Sequence, residues 1–321
     1  MSSKILVVGH RNPDNDSIAA AVGYAHLKNA LAARDGEAGV EYVPARLGPL
    51  PVESAWMLEK SDIPEPVLIE NVSPIVVDGE EVKQKVILVD HNEVAQAAPG
   101  IENAEVVEII DHHRIADVTT ANPILFLNLP IGSTATIVTL QFRQTGIELT
   151  PSIAAVLLSA ILTDTVIMKS PTCTPVDVEQ VNYLAGILGV DPVEFGMEIF
   201  RTRGGEDKMP IAKLVEADSK EFKCPDGSVV LIAQRETVDL PTVMGREGEI
   251  REHMKKLVDD NGYEFALLLV TDILAEGSQF IVEGDPARVN RVFGIECAEG
   301  GNWMPGVLSR KKQVAAPILA S

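Results

Sequence analysis

KILVVGHRNPDNDSIAA, residues 4–20, carries a short apolar run that closes at Gly9 and is followed at once by His10, Asp14 and Asp16. The run reads as a buried strand feeding a turn and then a helix. Pro13 bars helix through the turn, and Asp16 or Ser17 is placed to cap a helix from about Ile18 to Ala33. The same alternation recurs downstream. EYVPAR (41–46), KVILVD (85–90) and EVVEII (105–110) read as further strands separated by helical patterns, the signature of a parallel sheet covered by helices.

A helix pattern covers Glu53 to Lys60, and a Pro-containing loop then leads to a hairpin turn at Asp78-Gly79. A long helical stretch follows Pro151; its run Ile153 to Leu162 suits a buried helix and is too short for a membrane span. The pattern weakens after Leu184-Ala185-Gly186, and Arg203-Gly204-Gly205 is the best linker before a second unit. That unit shows a turn at Pro225-Asp226-Gly227, a strand VVLIAQ, an amphipathic helix near Arg246 to Val258 and a buried strand FALLLV.

The 321 residues allow two domains, and 47 acidic against 27 basic side chains give a net charge of −20. Such a chain has no general affinity for nucleic acid or anionic membranes, so a phosphate-bearing substrate must meet a local basic patch. Aromatic content of 4% is too low for base-stacking platforms. Cys173, Cys224 and Cys297 are odd in number and lack paired zinc-site spacing, which points to reduced thiols. The N-terminus, MSSKILVVGH, has no signal-peptide layout, and the expected location is the cytoplasm.

In an open parallel sheet, ligands bind beyond the carboxyl ends of the strands. Three predicted strands end in metal-type side chains: His10 with Asp14 and Asp16, Asp90-His91, and Asp111-His112-His113. Asp164 can face the same place. Taken alone, Asp14 and Asp16 could merely form a turn and cap, and a His-His pair is commonly structural. Four of six histidines, however, fall at strand ends beside aspartates. His26 and His253 lie in helical patterns, where the structural reading wins. Imidazole and carboxylate donors without thiolate suit Mn²⁺, Co²⁺ or Mg²⁺, with enough ligands for two ions, and such pairs serve phosphate-ester or anhydride hydrolysis. Ser309-Arg310-Lys311-Lys312-Gln313 is the most concentrated basic run and the candidate phosphate clamp; Lys220 is a weaker candidate.

Together, Gly9 to Ser17, Val89 to Glu93, Asp111 to Arg114, Gly132 to Thr136, Ser170 to Thr174 and Ser309 to Gln313 resemble the family II, manganese-dependent inorganic pyrophosphatases of the DHH phosphoesterase superfamily. The resemblance runs in order over nearly the whole chain. It implies that His10, Asp14 and Asp90 hold one metal and that Asp16, Asp90, His112 and Asp164 hold the other, with Asp90 bridging. His113 would contact substrate and aid proton delivery, while Lys220, Arg310 and Lys311 would grip the phosphates. His91 and Asp111 would orient the ligands. Two Mn²⁺ ions, replaceable by Co²⁺ or Mg²⁺, would activate a bridging water for in-line attack on pyrophosphate. Asn15 departs from the threonine usual between the two aspartates.

The expected fold is α/β: a parallel-sheet metal-binding catalytic domain over residues 1–200, a smaller mixed α/β domain over 206–321, and the active site in the cleft between them. The resemblance also implies a homodimer. Some relatives carry a nucleotide-binding insert, but only residues 64–85 fill that interval here, so no regulation by adenine nucleotides is expected. The rivals are an exopolyphosphatase of the same superfamily and a non-catalytic metal- or nucleotide-binding regulator. A degenerate regulator should lack at least one ligand or clamp residue, and none of the ten is missing.

Overall fold

The computed structural model describes residues 3–37, 39–203, 205, 207–297 and 300–321. Met1 and Ser2 of the N-terminal reading, Gly204 of the expected linker and Glu206 at the expected second-domain start lie outside the described residues. The chain divides into two units, Met1–Arg203 and Gly204–Ser321.

The first unit runs β1 (Ser3–Arg11), α1 (Asn15–Asp35), β2 (Val40–Leu47), α2 (Val52–Lys60), β3 (Val67–Leu68), β4 (Ile75–Val77), β5 (Glu80–Val82), β6 (Lys85–Val89), β7 (Glu105–Asp111), β8 (Leu125–Asn128), α3 (Thr134–Thr145), α4 (Pro151–Asp164), α5 (Pro175–Leu188) and α6 (Pro192–Thr202). Its six-stranded sheet has the order β3-β2-β1-β6-β7-β8, with every pairing parallel. From β1 the chain winds one way to β2 and the other way to β6, so the order reverses between β1 and β6, where an open α/β sheet leaves its binding crevice. Val7, Val8, Ile87 and Leu88 are wholly buried, which is why these strands read as continuous apolar runs. β4 and β5 form the expected hairpin at Asp78-Gly79, both with positive φ.

Two readings are corrected. Helix α1 begins at Asn15, three residues earlier than expected, because Asp14 rather than Asp16 or Ser17 is the cap: its extended backbone lets Oδ1 accept from the Ser17 N–H at 2.9 Å. Asp16 thereby falls inside the first turn and faces inward. After Gly186 the helical pattern does not fade: α5 continues to Leu188 and α6 follows, capped by Asp191 with Pro192 at its first position. That cap-then-proline signal also opens α4 at Thr150-Pro151 and α5 at Thr174-Pro175.

The second unit runs α7 (Ile211–Glu216), β9 (Ser219–Lys223), β10 (Val229–Thr237), α8 (Leu240–Met244), α9 (Glu247–Asn261), β11 (Phe265–Asp272), β12 (Gly277–Gly284), α10 (Ala287–Phe293), β13 (Asn302–Pro305), a wide π-type turn over Arg310–Ala315 and α11 (Ala316–Leu319). Its mixed sheet, β13-β12-β11-β10-β9, is parallel only between β10 and β11. β11 is buried on both faces. Phe265, Leu267 and Leu269 join one core with Val314 and Ile318, while Leu268 and Val270 join another with Ile250 and Met254.

Candidate metal centre

The carboxyl ends of β1, β6 and β7 bring His10, Asp90 and His112 together, and the cap and first turn of α1 and the last residue of α4 add Asp14, Asp16 and Asp164. Three groups of possible ligand atoms result among the described residues, each within 4.8 Å of one another: His10–Asp14–Asp90, Asp16–His112–Asp164 and the overlapping Asp90–His112–His113. Asp90 joins the first two. Its Oδ2 lies 3.5 Å from His10 Nε2 and its Oδ1 3.4 Å from His112 Nε2. Asp14 lies 3.5 Å from His10, and Asp164 and Asp16 lie 3.6 and 3.9 Å from His112.

These separations exceed good hydrogen bonds, whereas neighbouring ligands at 2.0–2.2 Å from a shared cation sit about 3 Å apart or slightly more. Both histidines present the correct nitrogen. Their Nδ1 atoms lie 2.9 Å from the backbone carbonyls of Arg11 and Ile131, which assigns an N–H there and turns Nε2 to the carboxylates. Asp90 Oδ2, on the His10 side, and His112 Nε2, on the other, are buried without a hydrogen-bond partner, a costly arrangement that a cation in each group would relieve. The donor set fits hard or borderline divalent ions.

The local backbone is shaped for this meeting. A Cβ on Gly9 would sit 2.0 Å from Ser17 Oγ, so only glycine lets the end of β1 approach α1, where the His10 N–H donates to that hydroxyl at 2.9 Å. Asp90 has a φ of 63°, a left-handed conformation that aspartate tolerates better than most residues. Beyond Asp164, Val166, Ile167 and Met168 also have positive φ. This costs roughly 1–2 kcal/mol per residue. Buried Ile167 and hydrogen bonds such as Ile167 N to Leu162 O, 2.7 Å, hold the turn and end α4 at its carboxylate.

Several supporting residues were not assigned roles from sequence. Asp16 accepts from the Ser133 hydroxyl at 2.8 Å and the backbone N–H groups of Thr134 and Ala135 at 2.6 and 2.9 Å, so the N-terminus of α3 holds it. The Thr134 hydroxyl donates to Asp90 Oδ1 at 2.9 Å. Behind this loop, buried Asp177 accepts from Gly132 N, Thr136 Oγ1 and Thr174 N and Oγ1, tying the Gly132–Thr136 motif to the Ser170–Thr174 motif. The available signal was a serine cap ahead of the α3 run.

His113 is half exposed, and its Nδ1 lies 3.0 Å from Asp111 Oδ1 and 3.7 Å from Asp90 Oδ1. Asp111 is fixed in turn by Asn92 Nδ2 and by the backbone N–H groups of His112 and His113. His91 is buried with Nδ1 on Val89 O, and its ring meets that of His10 edge to face. His26 stacks near Phe142 and His253 pairs with Glu216, and among the described residues neither joins a ligand group.

In the second unit, Lys220 is exposed on β9 above the Phe222 ring, and Lys311 is exposed in the π-type turn. Arg310 is engaged: its guanidinium lies 2.7 Å from Asp218 Oδ1 and also donates to the Asp218 carbonyl. The turn is tied down by Gln313, whose Oε1 accepts from Leu308 N and Ser309 N, and by Gln234, whose Oε1 accepts from Arg310 N.

Electrostatically, the cluster of carboxylates calls for positive charge. Burial opposes protonation of His10, yet Asp14 and Asp90 outweigh it and lift its pKa to about 11; burial likewise loses to Asp90 and Asp16 at His112, which rises to about 10. Burial and the charges of Asp90 and Asp14 push Asp164 up to about 7, while His10 and His112 overcome burial to hold Asp90 below the usual carboxylate range. A divalent cation must displace these protons. Its affinity should therefore tighten with rising pH, by about tenfold per pH unit for each proton displaced. Calorimetric titration in buffers of different ionisation enthalpy checks this, and pH-independent binding without proton release would contradict it.

The fold is that of a two-part DHH protein: residues 4–161 match the DHH family N-terminal domain, and residues 197–321 match the DHHA2 domain. Full-length relatives narrow it further. The chain is 41% identical to a protein of Archaeoglobus fulgidus named "probable manganese-dependent inorganic pyrophosphatase", covering 99% of this chain and 98% of that one. It is 38% identical to the manganese-dependent inorganic pyrophosphatase of Bacillus subtilis over 98% and 97% of the two chains. It also matches the crystal structure of a candidate family II inorganic pyrophosphatase of Methanococcus jannaschii, with TM-score 0.58, 35% identity and 98% of each chain covered. The chain belongs to the manganese-dependent, family II inorganic pyrophosphatases.

Proposed function

We propose that the chain hydrolyses inorganic pyrophosphate to two orthophosphates at the centre built on Asp90. The observation that carries this reading is the pair of ligand groups joined through one buried carboxylate. His10, Asp14 and Asp90 would hold one Mn²⁺, and Asp16, Asp90, His112 and Asp164 the other. When bound, such ions acidify water and neutralise phosphate charge.

The side chains then have separable tasks. Asp111 raises the pKa of His113 by hydrogen bonding, so the imidazole keeps a proton that it can pass to the leaving phosphate. Asn92 keeps Asp111 aimed at His113. Lys220, Arg310 and Lys311 supply cations for the phosphate oxygens; Arg310 would exchange its Asp218 partner for substrate. Arg310→Ala and Lys220→Ala should leave Mn²⁺ binding nearly intact while raising KM and lowering kcat, each by about tenfold or more, in steady-state phosphate release. Unchanged kinetics in both would remove the clamp from this reading.

Homodimer formation belongs to the same proposal. β8 is an edge strand and exposes Leu125 and Phe126, the kind of edge that proteins usually cover. No helix among the described residues is long and apolar enough to cross a membrane, and the three cysteines are unpaired, which supports a reducing compartment such as the cytoplasm. The reading as a whole is tested by stripping the protein with a chelator and restoring Mn²⁺. Phosphate release from pyrophosphate should vanish and return; release that persists without metal, or never appears with it, would contradict the proposal.

A further inference from the structure

Asn15 stands between Asp14 and Asp16 and is almost fully buried. Its carboxamide makes three hydrogen bonds to two other helices. Nδ2 donates to Ser159 Oγ and to Thr163 Oγ1, both on α4 at 3.2 Å, and Oδ1 accepts from Ser54 Oγ on α2 at 2.8 Å. The two α4 hydroxyls have no proton left for Asn15, because Ser159 donates to Val156 O at 2.7 Å and Thr163 to Ala160 O at 3.0 Å. Each offers only lone pairs toward α1.

That pattern demands a short side chain with two donors and one acceptor. A carboxylate has no donor to give, a serine or threonine hydroxyl has one, and an aliphatic side chain has none. Asparagine meets the demand. The bonds also have a particular geometry relative to the metal centre. On one side lies the α1 turn carrying Asp14 and Asp16; on the other, Thr163 immediately precedes Asp164.

We infer that Asn15 is a positioning residue that sets the spacing between the α1 ligands and Asp164, and so tunes how tightly the centre holds its cations. The inference rests on the metal-centre reading above. Asn15 needs no contact with substrate to act in this way, since it works through the backbone of α1 and the last turn of α4. Supports bonded directly to a ligand are typically worth ~10- to 100-fold in metal affinity, and Asn15 stands one residue from two of the ligands.

The test is Mn²⁺ titration of the metal-free full chain, unmutated and as two variants, by calorimetry at a temperature where circular dichroism shows each variant folded. Asn15→Leu keeps bulk and adds no charge but removes both donors and the acceptor; Mn²⁺ affinity should fall about 10- to 100-fold. Ser54→Ala leaves α1 untouched and removes one donor to Asn15; affinity should fall in the same direction, by a smaller factor than in Asn15→Leu. Ser54→Ala decides alone if Asn15→Leu fails to fold. Lower melting temperatures with Mn²⁺ affinity equal to the unmutated protein would make Asn15 merely structural and overturn the inference, leaving the metal centre standing. Failure of the unmutated protein to take up Mn²⁺ would overturn both.

Discussion

Asp90→Ala is expected to lower pyrophosphate turnover by at least about 10⁴-fold, equivalent to ~5.5 kcal/mol of transition-state stabilisation. It should also lose more bound Mn²⁺ than any other single ligand substitution. The reason is geometric: one carboxylate oxygen faces His10 and the other faces His112, so a single side chain serves both ligand groups. Asp14→Ala is the comparison, because Asp14 reaches only the His10 group and its side chain is 54% exposed. Metal content by plasma emission spectroscopy and initial rates on the same preparations decide the matter. If Asp90→Ala retained metal and rate as well as Asp14→Ala does, Asp90 would not join the two groups.

His113→Gln should separate chemistry from metal retention. A proton donor beside the leaving group contributes about 10² to 10⁴ in rate. Glutamine preserves a hydrogen-bonding side chain but cannot hand over a proton, so kcat should drop by that factor while the bound Mn²⁺ content stays that of the unmutated protein. The geometry leaves a sharp alternative, since Asp90, His112 and His113 also form a possible ligand group. The 3.0 Å contact of His113 Nδ1 with Asp111 favours the proton-donor role. Loss of metal in His113→Gln would reassign His113 as a ligand.

Much of this centre was legible in the sequence because strand ends in a parallel sheet all reach the same edge. His10, Asp90 and His112 each follow a recognisable apolar run, so their meeting follows from topology alone. The helix cap was misplaced by two or three residues because Asp14, Asp16 and Ser17 are all good capping residues. Only the backbone at Asp14, extended after Pro13, separates them. Supports such as Thr134, Asp177 and Asn15 stayed hidden for a different reason. Their roles arise from contacts across 41 to 148 positions of chain, and nothing in a short window distinguishes a buried threonine that holds a carboxylate from one that merely packs. The engagement of Arg310 by Asp218, 92 positions away, was equally invisible, and it adds a displacement step to any role of Arg310 with phosphate.

The most direct measurement is phosphate release by the purified, Mn²⁺-loaded protein from pyrophosphate, tripolyphosphate and a nucleotide diester at equal concentration, repeated with Mg²⁺. Rapid release from pyrophosphate, with far slower release from tripolyphosphate and none from the diester, is the predicted result. Preference for tripolyphosphate would move the protein to exopolyphosphatase chemistry, and no release from any of the three would leave a metal-binding protein without the proposed activity.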